Sequence, residues 1–319
     1  MLNSTSDIDT NKFSGFYGLN RMYVALYYTF LSVASIMLNL LFLYGIRDLC
    51  GWDSRFSFTL LFFASVISIL RFVVQLVACL LAIIDLDWIR YQTLWIAFGS
   101  AAYASYFTAV ILSMCITFNR LIYTVFPAET IYIDKKITKI IIGALILCFA
   151  SEVVLLNTRI MSSRWIPQYM VFAENTWIEE NKFPEVNTLS NYVVGIFNLV
   201  AYALIFALLT KRRLFTLRRN GEIRMTLQVL IMILCELFFF IYWEHFEMEA
   251  YGPLDLILAE TSSLLYFDIF ALPYLILNEN VHQRLKWKRN NVVDCTVGNT
   301  MQEESRNGVR WAKRPKTSA

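Results

Sequence analysis

Apolar residues along this chain cluster into seven stretches, each long enough to cross a membrane as a helix, with short polar segments between them. A hydrocarbon core about 30 Å thick requires about 20 mostly apolar residues, because a helix rises about 1.5 Å per residue. The predicted spans are 22–46, 56–84, 92–118, 140–157, 191–210, 225–243 and 254–277. This pattern predicts an all-α membrane protein built as a bundle of seven transmembrane helices.

The fourth stretch is the shortest and meets Glu152 before it reaches full length. A buried helix of a soluble protein would also fit that segment alone. Six stronger stretches surround it, and the charge pattern described below requires an odd number of spans. We therefore expect residues 140–157 to cross the membrane.

Composition agrees with this class of protein. Hydrophobic residues make up 57% of the chain and charged residues 17%, whereas soluble domains usually carry about 25% charged residues. A bundle in a membrane uses 319 residues as one unit. We expect an N-terminal tail over 1–21, a transmembrane domain over 22–277 and a C-terminal tail over 278–319.

Lysine and arginine predict the orientation, because short basic loops stay on the cytoplasmic side of a membrane. With the N-terminus outside, about 21 lysines and arginines lie inside and about six outside. The predicted outer loops are correspondingly acidic. The pattern predicts a multi-pass plasma-membrane protein with its N-terminus outside.

Asn3-Ser4-Thr5 is a glycosylation triplet in the predicted outer tail, so we expect Asn3 to be open to glycosylation. Six cysteines occur, and none falls in a predicted outer loop. Because disulfides form in oxidising compartments, we expect no structural disulfide outside the membrane. Cys50 and Cys295 fall on the predicted inner side, where an acylated cysteine or an ordinary free thiol would fit.

Catalytic and metal-binding patterns are missing from the sequence. Its two histidines, His245 and His282, fall on opposite sides of the predicted membrane, and no HExxH, CxxC, Walker or GxSxG spacing occurs. We expect no enzyme activity, cofactor or metal. Trp287 and Trp311 lie among the basic residues of the tail, but a basic cluster beside a span favours contact with anionic lipid headgroups over nucleic acid.

Ionisable and amide side chains within the spans are the best candidates for function, because a charge in hydrocarbon is costly and needs a partner or water. They are Arg71, Gln75, Glu152, Glu236, Glu260 and Asp268. Depth along the helices leads us to expect an ion pair between Arg71 and either Glu260 or Asp268. Such a pair would either line a ligand cavity or only hold helices together.

Residues 117–121, Thr-Phe-Asn-Arg-Leu, end the third span and are followed by Phe126-Pro127. This segment resembles the inner end of the third helix in nematode serpentine chemoreceptors, with class X as the nearest group. The segments 222–224 with Gln228 and 273–278 are similar to the same family. The chain departs from related receptors in having no proline in the sixth span, no full NPxxY in the seventh and no outer cysteine pair.

The resemblance implies a G protein-coupled receptor for an unknown small external molecule, with a heterotrimeric G protein as its inner partner. Arg120 would act as a switch at the cytoplasmic edge, braced by Asn119, although a plain positive-inside anchor is the alternative. Pro273 would kink the seventh helix beside the Tyr274 hydroxyl, or serve packing alone. Arg212 and Arg213 belong to a basic loop, 211–224, that would meet the G protein or lipid.

A ligand is expected among the outer halves of the third, fifth, sixth and seventh helices. The aromatic candidates, which an interfacial belt or packing would also explain, are Tyr103, Tyr106, Phe107, Tyr242, Trp243 and Tyr266. Beyond the last span, Val281, Leu285 and Lys288 at helical spacing predict a short amphipathic helix along the inner membrane surface.

Two other classes of protein compete with a receptor. A transporter or channel would use the intramembrane charges along a polar path, but inverted repeats with broken helices are not apparent in the sequence. A seven-helix enzyme using Glu152, Glu236 or Asp268 as acids is the third class.

Overall fold

The computed structural model describes residues 15–47, 56–87, 90–125, 135–158, 161–174, 182–211, 220–245, 252–278 and 281. Most of the residues that the structure describes are helical, and five of the described helices are long and apolar enough to cross a membrane. It is therefore a predominantly helical protein of membrane type. Asn3, Cys50, Cys295, Arg212, Arg213 and the predicted tail helix lie outside the described residues, apart from Val281.

Eight helices and two strands follow one another in the described ranges. They are α1 (Gly18–Ile46), α2 (Phe56–Ile83), α3 (Gln92–Val125), α4 (Lys135–Leu156), β1 (Ser163–Ile166), β2 (Val171–Glu174), α5 (Phe183–Lys211), α6 (Asn220–His245), α7 (Pro253–Asp268) and α8 (Leu272–Leu277).

The first five predicted spans fall on α1 to α5, which have the length and apolarity for crossing a membrane, with residues 84 and 157 one position past the ends of α2 and α4. In α6 the described apolar stretch is Leu230–Trp243, and the seventh predicted span is divided between α7 and α8. The fifth helix also begins at Phe183, so residues 183–190 add about two helical turns before the predicted start at 191.

The interruption between α7 and α8 lies just before Pro273. The amides of Ile269 and Ala271 donate to the carbonyls of Tyr266 and Asp268, which are only three residues earlier. A proline ring clashes with the carbonyl four residues before it and has no amide proton to donate. Pro273 therefore accounts for the predicted kink, which divides the helix into two.

Helix α3 is the central element. In its apolar segment 61% of residues are buried, against 17% in α4 and 22% in α5. It packs against α2, α4, α5 and both strands, while α1 packs against α2, α7 and α8. Because α6 contacts α5, α7 and α8, the helices close into a ring that runs through α1, α2, α3, α5, α6 and α7, with α4 packed on α3.

Small polar residues point into the bundle and large apolar residues point out of it. Ser32, Ser65, Ser105 and Ser113 have no exposed surface. Outward-facing apolar side chains are far more exposed than a soluble protein would allow, and they include Phe30, Met37, Leu147, Val154 and Ile196. This arrangement suits a lipid environment, in which small residues let helices approach one another.

The all-α prediction missed a β-hairpin between α4 and α5. Strands β1 and β2 are antiparallel, with Ser163 opposite Glu174 and Ile166 opposite Val171. The hairpin lies directly on α3 at Gly99, where an added Cβ would be 2.4 Å from the carbonyl oxygen of Ser163. The Phe16 amide also donates to the Gln168 carbonyl at 2.7 Å. The hairpin thus covers the end of the bundle at which α1 begins, termed the hairpin end below.

Candidate functional site: a cavity with a buried carboxylate

A cavity lies among α3, α5, α6 and α7, where the sequence predicted a ligand. It holds about 490 Å³ of space not filled by atoms, part of which is open at the surface. The lining residues that matter for its chemistry are Tyr106, Asn191, Asn198, Glu236, Trp243 and Tyr266.

Three aromatic rings form one wall of the cavity. The ring centroids of Tyr106, Trp243 and Tyr266 are 5.8, 5.6 and 5.5 Å apart in pairs, and each pair is tilted or edge-to-face. Trp243 donates its indole N–H to Ser262 Oγ at 2.9 Å, and the Tyr106 hydroxyl donates to the side-chain carbonyl of Asn191. These bonds fix both rings, since a buried indole or phenol needs a polar partner.

Glu236 supplies the only carboxylate of the cavity lining and is 8% exposed. Its Oε2 accepts a hydrogen bond from Asn198 Nδ2 at 2.8 Å, and the same amide lies 3.3 Å from Ser113 Oγ. Glu236 Oε1 is buried and makes no hydrogen bond of standard geometry within the described part of the chain. The carboxylate is therefore only partly satisfied.

Only three of the six aromatic residues proposed for the pocket line it. Tyr103 and Phe107 face the other way and pack on Phe183, with ring centroids 4.5 and 6.2 Å away. Tyr103 and Phe107 are four residues apart and share a face of α3, whereas Tyr106 lies at the edge of that face and contacts both this cluster and the cavity. Tyr242 is also outside the lining, because it is rotated by about 100° from Trp243.

A second polar cluster lies beneath the hairpin. Arg71 Nη2 is 2.6 Å from Glu260 Oε1, and Arg71 Nη1 donates to Gln75 Oε1 at 2.8 Å. The Phe172 amide donates to Glu260 Oε2 at 3.3 Å, and the Phe172 ring lies 4.6 Å from the guanidinium carbon. The Tyr103 hydroxyl donates to the Phe172 carbonyl at 3.1 Å. The predicted ion pair is present and is closed over by the hairpin.

Asp268 is not the partner of Arg71. Its Oδ2 accepts from the Ser35 hydroxyl at 2.6 Å, and its Oδ1 lies 3.2 Å from Asn39 Nδ2. Asp268 and Glu260 are two helical turns apart on α7, or about 12 Å, so one arginine cannot serve both. Asp268 instead links α7 to α1.

Glu152 joins α4 to α3. It accepts hydrogen bonds from Thr108 Oγ1 at 2.9 Å and from Cys148 Sγ at 3.4 Å. It does not line the cavity. This carboxylate therefore serves helix packing.

Asn119 and Arg120 lie near the opposite end of α3, termed the Arg120 end below. Asn119 Nδ2 donates to Ser57 Oγ at 2.6 Å, which ties α3 to the start of α2. Arg120 Nε is buried without a hydrogen bond in the described part of the chain. Tyr274 packs its ring 6.1 Å from Phe42, and its hydroxyl, expected to act as a polar partner, makes no hydrogen bond to another described residue.

Sequence reasoning missed two groups that complete these sites. Asn191 and Asn198 are seven residues apart in an otherwise apolar stretch, a spacing that places them on one face of α5. That polar pair could have been recognised. The contribution of Phe172 could not, because its amide and its ring reach Glu260 and Arg71 only through the position of the hairpin.

Comparison of the chain with protein-family models and with curated proteins gives no match.

Proposed function

We propose that this chain is a seven-transmembrane receptor that binds a small external molecule in the cavity and signals to a cytoplasmic heterotrimeric G protein. The observation that carries the proposal is the course of α3. One rigid helix contributes Tyr106 to the cavity wall and, about 20 Å further along, Asn119 and Arg120 at the other end of the bundle.

Helix α6 is the moving element in this proposal. It presents Glu236 and Trp243 to the cavity and packs against α5, α7 and α8. A ligand held between α6 and α3 would favour one position of α6 over another. Shifts of packed helices between two discrete arrangements are a common way of transmitting occupancy.

Seven spans are proposed rather than five, because α6 and the α7–α8 pair complete the same ring. Helix α6 has 26 residues and so extends about 39 Å, enough to cross a hydrocarbon core. It also directs polar groups inward, such as Gln228 and Glu236, which are 1% and 8% exposed. The basic-residue pattern then puts the N-terminus outside the cell.

The Arg120 end is the proposed coupling surface. Arg120 lies beside the Asn119–Ser57 bond, and the basic segment containing Arg212 and Arg213 follows α5. Forked guanidinium donors suit the carbonyls at the end of a partner helix. The resemblance of 117–121 to nematode serpentine chemoreceptors supports a chemosensory role.

Activation of a G protein in cells exposed to a panel of odorants tests the proposal. Arg120→Ala should abolish the response while preserving surface expression. Arg47→Ala is the matched control, because Arg47 ends α1 and stacks 4.5 Å from the Tyr44 ring. Equal signalling by wild type and Arg120→Ala would contradict the role of Arg120.

A transporter or channel is the second candidate, favoured by the charges buried in α2 and α7. Arg71 and Glu260 neutralise each other, and Asp268 accepts two hydrogen bonds from α1. Groups satisfied in this way hold helices in place rather than relay ions. Ligand-evoked current or flux that persists in cells lacking G proteins would favour this candidate and exclude the receptor.

A further inference from the structure

We infer that the cavity selects an organic cation, a protonated amine or quaternary ammonium with an apolar body, and that Glu236 is its counter-ion. This inference names the ligand class of the proposed receptor and rests on that proposal for the use of the cavity as a ligand site. It depends on charge and geometry that the receptor assignment did not use.

The first observation is the unbalanced charge. Among the described residues no lysine, arginine or histidine forms an ion pair with Glu236, whereas Glu260 has Arg71 at 2.6 Å. Asp268 also has no ion pair among them, but each of its two oxygens accepts a hydrogen bond. A buried carboxylate is costly unless it is paired. A cationic ligand supplies the missing charge and a donor for Oε1.

The second observation is the arrangement of partners around the carboxylate. Asn198 donates to Oε2 at 2.8 Å and the Ser113 hydroxyl lies beside the same carboxyl group, while Oε1 makes no hydrogen bond of standard geometry within the described residues. Glu236 and Trp243 are seven residues apart on α6, so they share a face and are separated by about 10 Å along the helix. A molecule with its charged end at Glu236 therefore extends along the aromatic wall.

The third observation is the wall itself. Tyr106, Trp243 and Tyr266 form a continuous aromatic surface beside the acid. Aromatic faces attract ammonium groups, and the rings also cover apolar carbon. An anionic ligand would face Glu236 with no described cation to offset it, and a neutral one would leave the carboxylate unpaired.

The test measures the binding of small probes to the purified full-length protein in detergent. The readout is the shift in the melting temperature of the protein. The probes are ammonium ions of graded size, from tetramethylammonium to 2-phenylethylammonium, with the neutral 2-phenylethanol as isostere of the last. At least one ammonium probe should raise the melting temperature saturably, and 2-phenylethanol should not. Glu236→Gln should weaken that binding by about 10- to 100-fold, the loss expected for a hydrogen bond to a charged group.

Glu152→Gln is the matched control, because Glu152 is also a carboxylate within a span but bonds Thr108 and lies outside the cavity lining. It should leave ammonium binding unchanged. Trp243→Leu provides a second variant that keeps the acid and removes part of the wall, and it should weaken the larger probe more than tetramethylammonium. The unliganded melting temperature of each variant shows whether it is folded.

Three results would overturn the inference: saturable binding by no ammonium probe, equal binding of the amine and the alcohol, or unchanged ammonium binding in folded Glu236→Gln. The receptor proposal fails separately. Ammonium binding without G protein activation in cells would support the cation site and contradict the coupling to a G protein. G protein activation by neutral molecules alone, undiminished in Glu236→Gln, would support the receptor and contradict the cation site.

Discussion

Arg71 and Glu260 form an ion pair with 2.6 Å between Nη2 and Oε1, and their side chains are only 3% and 4% exposed. The pair links α2 to α7 across the hairpin end. Phe172 closes it from above by a backbone hydrogen bond to Glu260 and by its ring over the guanidinium. Its contribution to stability is therefore testable by breaking it from either side.

Removing one partner should be strongly destabilising. Arg71→Met or Glu260→Gln leaves the other group buried without its partner, at a cost of about 3–5 kcal/mol. Exchanging the two residues should recover part of that loss, as measured by melting temperature and surface expression. Asp85→Asn is the control, because Asp85 pairs with Arg21 at 2.8 Å but is 76% exposed, and such pairs contribute about 0–1 kcal/mol. Losses of equal size at both pairs would contradict the importance of burial.

Gly99 should tolerate no side chain. In Gly99→Ala the new Cβ would meet the backbone of Ser163 and Arg164 at 2.4–2.5 Å, so the hairpin has to move. Overpacking of this kind costs about 1–3 kcal/mol. Limited proteolysis of residues 163–174 and the melting temperature report the displacement.

Gly143→Ala is the matched control for Gly99→Ala. Gly143 is also within a helix, and an added Cβ there meets nothing within 4 Å. Alanine should stabilise α4 by up to about 1 kcal/mol through its higher helix propensity. If Gly99→Ala also raised the melting temperature and left the hairpin resistant to protease, the close approach would be refuted.

Asp268→Asn should weaken the contact between α7 and α1. The carboxylate accepts from Ser35 on one oxygen and from Asn39 on the other, but a carboxamide has only one accepting oxygen. One buried donor then loses its partner, and the cost is about 1–3 kcal/mol. Chemical denaturation in detergent measures it. Asp268→Asn should cost less when it is made in the Ser35→Ala variant, because the hydrogen bond from Ser35 has already been removed there.

Asn119 and Ser57 should behave as a coupled pair. Each single alanine variant leaves a buried polar group unpaired, whereas the double variant removes both groups. The double variant should therefore lose less stability than the sum of the two singles, by about 1 kcal/mol. Basal G protein activation should rise in either single variant if this bond restrains the Arg120 end. Additive losses would show that the two side chains act independently.

The helices and much of the polar interior follow from sequence, because length, apolarity and the cost of buried charge are local properties. The five long apolar helices and the break before Pro273 were predictable, as was a partner for Arg71. The choice of Glu260 over Asp268 was not, since it depends on how α2, α7 and α1 are rotated against one another. The sequence also could not predict which aromatic side chains face the cavity. Tyr106 lines it, whereas Tyr103 and Phe107 do not.

The hairpin has a consequence for the order in which the chain assembles. Phe172 contacts Arg71 on α2, Tyr103 on α3 and Glu260 on α7. All of these contacts can form only when the three helices are packed together. The ribosome makes the hairpin well before α7. The hairpin is therefore made before α5, α6 and the α7 carboxylate that it contacts. The hairpin is made midway through synthesis but gains its contact with Glu260 only after α7 has been made. A truncated chain lacking α7 should therefore leave the hairpin open to protease.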